Sequence, residues 1–95
     1  MPHFNGYNYI SLAYKKMGKR MEPYIIECAF GEKTVFSHDG EEFMYVLEGT
    51  QGFVYARKKY LLGKENSIHF NPRIPHNDRS VGPKRAKILT VIMPP

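Results

Sequence analysis

From Glu22 onward, apolar residues recur at every second position in short runs, and a Gly- or Pro-containing turn cuts each run. Period-two alternation places apolar side chains on one face of an extended strand. Amphipathic helices need apolar residues three and four apart, and that spacing is nearly absent here. In Pro23–Phe30, Tyr24, Ile26, Cys28 and Phe30 share a face. Lys33–His38 reads as a short strand ending at Asp39-Gly40, a hairpin signal. Glu41–Leu47 is apolar on both faces, as a central strand of a sandwich would be. Gly49–Gly52 reads as a turn, followed by strands over Phe53–Arg57 and Lys59–Leu62 with Arg57-Lys58-Lys59 at a solvated turn. Ser67–Phe70, His76–Ser80 and Arg85–Met93 complete the pattern. About eight short antiparallel strands spaced in this way predict an all-β fold, a small sandwich or barrel.

The first 20 residues are patterned differently. Tyr9–Met21 has poor helical spacing, and Gly18 interrupts it. Tyr7–Ala13 reads instead as an extended arm, with Tyr7, Tyr9 and Ser11 alternating against Asn8, Ile10 and Leu12. A charged connection around Gly18 follows, carrying Lys15, Lys16, Lys19 and Arg20. The organisation expected is an arm over residues 1–20 that packs on the barrel or on a second copy, and a barrel over residues 21–95. Ninety-five residues make one domain, and a hydrophobic content of 42% excludes a disordered chain.

Charge and cysteine content narrow the function classes. The net charge is +5. The basic residues cluster at Lys15–Arg20, Arg57–Lys59 and Lys84–Lys87, at turns and strand starts, where charge discourages edge pairing. With no helix-turn-helix pattern, RNA-binding aromatic motif or Gly-rich phosphate loop, nucleic-acid binding by this chain alone is not expected. The single cysteine, Cys28, excludes an internal disulfide and a Cys-rich zinc site. Neither Cys28 nor Ser37 has a base nearby in sequence, which argues against nucleophilic catalysis. The N-terminus lacks a signal-peptide layout, and no apolar run approaches the ~18 residues of a membrane helix. A cytoplasmic location without membrane contact is expected.

The stretch Phe36-Ser37-His38-Asp39-Gly40-Glu41-Glu42-Phe43 through Gly49 resembles the first motif of the cupin superfamily. That motif reads His-x-His, three or four residues, Glu, six residues, Gly. His38 stands at its second His, Glu42 at its Glu and Gly49 at its Gly. Gly63 to Ser80 resembles the second motif, with His76 at the His. The resemblance covers roughly Pro23 to Pro95. It is greatest to the cupin half of regulators that carry a helix-turn-helix domain in front, where Met-Glu-Pro and Phe-Ser-His-x-Gly-Glu-Glu-Phe runs also occur. It implies a small cupin-type β-barrel, a double-stranded β-helix or jelly roll. Four departures stand out: Phe36 at the first His, Asn71 at the Pro, Arg73 at the Gly and Ser80 at the terminal Asn.

Two imidazoles and a carboxylate, from His38, Glu42 and His76, can hold one face of iron(II) or manganese, or hold zinc with a water. They serve equally as a hydrogen-bonded cluster in a metal-free pocket, because Phe36 replaces a usual ligand. A two-residue hairpin at Asp39-Gly40 would put Glu41, not Glu42, beside His38. The resemblance favours Glu42. His69 reads as a surface histidine and His3 as part of a disordered terminus.

Alternation carries the pocket reading further. If Glu42 points inward, so do Met44 and Val46, while Phe43, Tyr45 and Leu47 face out and need cover from the arm or a second copy. Phe36, Met44, Gln51, Phe53 and Tyr55 are then the ligand-pocket residues. The function expected is a small-ligand- or metal-binding module, resembling the effector-sensing domain of a regulator without its DNA-binding half, acting as a homodimer. The alternative is a small metal-dependent enzyme, a dioxygenase or isomerase, using the two-His one-carboxylate site.

Overall fold

A computed structural model describes residues 3–12, 20–31 and 34–95. Nine strands run through these residues: β1 (His3–Phe4), β2 (Tyr7–Ser11), β3 (Glu22–Glu27), β4 (Glu41–Glu48), β5 (Thr50–Tyr55), β6 (Lys58–Leu62), β7 (Ser67–Phe70), β8 (His76–Val81) and β9 (Lys87–Met93). They form two antiparallel sheets. The larger has the order β1-β2-β3-β9-β4-β7, and the smaller β6-β5-β8. The all-β expectation holds, and the alternation is visible strand by strand. On β4, Glu42, Met44 and Val46 are buried while Phe43, Tyr45 and Leu47 are half-exposed.

The core lies between the sheets. Met44, Val46 and Ile88 come from the large sheet and Phe53 from the small one, all essentially inaccessible. The Phe53 ring stacks on Tyr55 at 5.5 Å and meets Phe70 at 4.8 Å. Burying a side chain of this size stabilises the fold by about 1.5–3 kcal/mol.

Several elements differ from the expectations drawn from the sequence. His3 lies in β1, not in a disordered terminus. The charged connection around Gly18 falls outside the described residues. Within residues 3–12 the arm does not lie across β4. It extends the large sheet by pairing Tyr9 with Ile26 and Ile10 with Ile25. Phe30 does not continue the inward face of β3. The strand ends at Glu27, and Phe30 is 48% exposed with the Arg85 guanidinium 5.9 Å from its ring centre. Residues 34–38 form no strand, only a single bridge from Phe36 to His76. Gly52 is not in a turn but in the middle of β5. A Cβ there would meet the Arg79 guanidinium carbon at 2.9 Å. The missing side chain makes room for Arg79 lying across the strand, which is a second use of Gly that sequence does not distinguish from a turn.

The β5–β6 hairpin turns one residue earlier than expected, at Ala56-Arg57. Tyr55 pairs with Lys58, so the loop has two residues, and both have positive φ, 51° and 66°. This is the backbone of a type I′ turn, which favours Asn-Gly because other side chains are strained there by roughly 1 kcal/mol each. Replacing Ala56→Asn and Arg57→Gly together is expected to stabilise the domain by about 1–2 kcal/mol. Thermal unfolding by circular dichroism measures it, and a lowered midpoint would show that the native side chains make compensating contacts.

Candidate metal centre

Three side chains from three places in the chain converge at one end of the core. Glu42 is the second residue of β4 and His76 the first of β8. His38 lies in the crossover between the sheets. The Phe36 N–H donates to the His76 carbonyl at 2.8 Å, and the His76 N–H returns a bond to Phe36 at 3.0 Å. Two residues on, the His38 N–H donates to the Pro72 carbonyl at 3.0 Å. The chain therefore leaves the small sheet at His38 and enters the large one at Glu41. Asp39-Gly40 is not a two-residue hairpin, because β4 pairs with β7 and β9 instead. Gly40 makes the passage possible. Its φ is +107°, and a Cβ there would lie 2.0 Å from the Met93 carbonyl oxygen. The wider connection lets Glu42 reach His38.

The loop after β7 is tied to the same crossover. Ser37 Oγ donates to the Arg73 carbonyl at 2.8 Å, and Arg73 Nε donates to Asp39 Oδ1 at 2.9 Å. Arg73, at the position of a motif glycine, thus straps the segment that carries His38.

Donor atoms of His38, Glu42 and His76 all lie within 4.8 Å of one another. Both imidazoles are oriented from behind. His76 Nδ1 is 2.9 Å from the Ile74 carbonyl, and His38 Nδ1 is 3.1 Å from the Asp39 carbonyl. A carbonyl only accepts, so each Nδ1 carries a proton and each Nε2 is turned inward toward Glu42. His38 Nε2 stands 2.9 Å from Glu42 Oε1, and His76 Nε2 stands 3.8 Å from the same oxygen. Three electron-rich atoms facing one another need a shared cation, either a proton or a metal.

Burial sharpens that need. The His76 side chain is 1% exposed and Glu42 6%, whereas His38 is 34% exposed. The rings of Phe36, Phe53 and Phe70 surround His76 at 6.1, 6.1 and 4.9 Å. Burial pushes the His76 pKa down, with the Ile74 hydrogen bond opposing, so the ring stays neutral and able to ligate. Burial raises the Glu42 pKa, and the hydrogen bond and charge of His38 pull it back.

The trio opens onto a cavity of about 110 Å³. Ile26, Phe36, Ile88 and Ile92 supply apolar wall, and Tyr7 and Tyr9 of the arm close one side. Asp78 is the remaining polar group. Of the five pocket residues expected, Phe36 lines this cavity. Met44, Gln51 and Phe53 are fully buried beside it, and Tyr55 packs against Phe70 at 5.5 Å. The inward residues of β5 fill their own half of the interior and make core, while those of β8, His76 and Asp78, reach the cavity. His69 is exposed and pairs with Glu41 at 3.2 Å, away from the trio.

Asp78 was not among the residues expected from the sequence, although a signal existed. It lies two residues after His76 on one strand, so both side chains point to the same face. Gln51 Nε2 donates to Asp78 Oδ1 at 3.0 Å, and the Tyr7 hydroxyl donates to the Asp78 carbonyl. Burial, and then the nearby Glu42 charge, push the Asp78 carboxyl up to about 8, with the Gln51 hydrogen bond opposing. A carboxyl raised in the folded state keeps its proton where the unfolded chain has lost it. Its contribution is whole below the ordinary 3.8 and is lost as pH rises through about 8. In metal-free protein, Asp78→Asn is therefore expected to gain stability relative to the parent as pH rises across that window. Urea unfolding at several pH values measures the gap, and a constant gap would show that Asp78 ionises normally.

The fold agrees with known proteins. A cupin domain family model matches residues 27–92. The cupin domain of an XRE-family transcriptional regulator from Enterobacter cloacae superposes with a TM-score of 0.83, covering 95% of this chain and 98% of that one at 16% identity. Hydroxypropylphosphonic acid epoxidase from S. wedmorenis in complex with fosfomycin gives 0.80, covering 92% and 51% at 24% identity. Fe(II)-HppE with an alternative substrate gives 0.82, covering 95% and 51% at 23% identity. This chain thus spans about half the length of the enzyme chains it resembles. At these identities the likeness is one of fold. No curated protein matches it in sequence. With the family model spanning β4 to β8 and most of β9, the chain belongs to the cupin domain family.

Proposed function

We propose that this domain is a ligand-binding module built around one divalent transition metal held by His38, Glu42 and His76. The observation that carries the reading is the inward convergence of two Nε2 atoms and a carboxylate oxygen, with both Nδ1 atoms committed to backbone carbonyls. The donor set of two nitrogens and one oxygen suits iron(II), manganese or zinc. Three protein ligands leave coordination positions open, and the cavity beside them has room for a small guest. When bound, the metal would supply a Lewis-acidic anchor for that guest. Phe36 occupies the place where the family motif has a further His, and its ring lies edge-on to Tyr7 at 5.3 Å, giving the guest an apolar wall.

The sensory role, as in a regulator's cupin domain, is favoured by the near end-to-end match to such a domain. The second reading, a small metal-dependent enzyme, is supported by the open positions of the same trio and by the fold of the iron(II) neighbours. Protein purified without a His tag or added metal is expected to carry one metal per chain by mass spectrometry. His76→Ala or Glu42→Gln should lose it while far-ultraviolet circular dichroism is unchanged. Phe36→His should tighten binding by about tenfold or more, since a fourth ligand enters an already oriented site. Absence of metal in the parent, with no uptake on titration, would reject the reading.

The outer face of the large sheet supports a homodimer. Ile10, Ile25, Leu89 and Tyr45 stand in one register line across four strands. The chain carries +5 overall, yet the cation on this line's flank, Lys87, is paired with Glu48 at 3.5 Å. Two like-charged copies can meet most easily on an apolar face whose flanking cation is already paired. Sedimentation is expected to give a dimer that Ile25→Lys converts to folded monomer. A monomeric parent would end this part of the proposal.

A further inference from the structure

A second groove lies on the outer face of the small sheet. Phe53 points inward on β5, so its neighbour Val54 points out. Lys59 pairs with Val54, and Val54 pairs with Asn77. The antiparallel bridge from Phe36 to His76 places Val35 opposite Asn77 in turn. These four residues stand in line across the sheet, and Arg57 and Pro75 border the line on the side of the β5–β6 turn. The groove has a volume of about 250 Å³ and shares only His76 with the cavity of the trio. Asn77 Nδ2 donates to the Thr34 carbonyl at 2.8 Å, which ties the Val35 segment to the sheet.

Its chemistry is two-ended. Val35, 62% exposed, makes an apolar surface with Val54 and Pro75. Arg57 and Lys59 add two cations, and among the described residues no Asp or Glu lines the groove. Arg57 is kept at a φ of +66°, where Gly or Asn would cost less, and a binding role accounts for such an outlier. An acid with an apolar body satisfies both ends at once. Its carboxylate takes a charge-assisted, two-point bond from a guanidinium, and its body covers the apolar surface. The size fits a small molecule. A cavity of about 150 Å³ takes benzene, so this volume accommodates roughly ten non-hydrogen atoms. A protein partner needs about 20–30 residues on each side, several times the number that line this groove.

We propose that this outer groove is a second ligand site, for a free hydrophobic carboxylate of roughly ten non-hydrogen atoms. Arg57 and Lys59 receive the carboxylate, and Val35, Val54 and Pro75 receive the body. The site needs no metal and stands apart from the ligand-binding reading of the trio.

Phenylacetate and 2-phenylethylamine share a body and differ in the charge of the head group, while acetate has the head group and no body. Each is titrated into zinc-loaded and into chelator-stripped protein, and amide shifts are followed by NMR. Phenylacetate is expected to move the amides of residues 54–59 and 77 and to leave those of residues 88 and 92 in place, with and without zinc. It should bind at least about tenfold more tightly than the amine or acetate. Arg57→Gln combined with Lys59→Gln should bring phenylacetate and the amine to within about threefold of each other. The Ala56→Asn, Arg57→Gly hairpin should weaken phenylacetate at least about fivefold in a protein expected to be more stable than the parent, so unfolding does not explain that loss. The amine binding as tightly as phenylacetate would overturn the proposal. So would an unchanged preference in the double Gln variant, shifts confined to residues 88–92, or no shift with any probe. Shifts of residues 54–59 that follow protein concentration and ignore the probes would assign the groove to a second copy of this chain, and would overturn it too. A failure of the metal reading looks different: zinc would not bind, while phenylacetate would still bind stripped protein.

Discussion

The bridge between Phe36 and His76 is the contact on which the candidate centre depends. Its paired backbone hydrogen bonds, 2.8 and 3.0 Å long, dock the crossover segment onto the edge of the small sheet. From that anchor the chain has only Ser37, His38, Asp39 and Gly40 in which to reach the large sheet. The glycine supplies the positive φ and the close approach to Met93 that the crossing requires. One residue of slack more or less would separate His38 from Glu42, or turn Glu42 to the outside. The geometry of the trio is thus a consequence of how two sheets are joined, not of a local loop motif.

Burial and polarity are arranged in opposition around that joint. The interior end of the trio is dry, with His76 ringed by phenylalanines, while the outer end is wet, with His38 partly exposed. Burial keeps His76 neutral and makes an ionised Glu42 costly, and a cation between them resolves both tensions at once. The same dry interior makes Asp78 expensive to ionise, and the fold retains it by giving it Gln51 as a donor. Placing acidic groups where water is scarce costs stability, as is common where a fold holds a functional site.

Fold class and much of the centre were legible in the amino-acid sequence. The family motif picked out His38, Glu42 and His76, and alternation counted from Glu42 placed Met44 and Val46 on the same inward face. What could not be read was which apolar residues would be wall and which would be core. Gln51 and Phe53 face inward as alternation requires, but they meet Met44, Asp78 and Phe70 instead of space. Tyr7 and Tyr9 became cavity residues only because the arm pairs with β3 at the sheet edge. That pairing is a long-range choice with no local signature.

Periodicity belongs to the chain of residues alone. With it come the all-β class and the facing of nearly every strand residue, because side-chain direction in a strand follows from counting by two. The identity of the three candidate ligands was also readable from the chain, through its resemblance to the family motif. The remainder was settled by packing in three dimensions. The antiparallel pairing of β4 with β7 and β9 overrode the local hairpin at Asp39-Gly40. β5 filled half the interior, and β8 placed the Asp78 carboxyl at the edge of the other half. Those outcomes depend on contacts between residues far apart in the chain, and no local pattern records which distant partner wins.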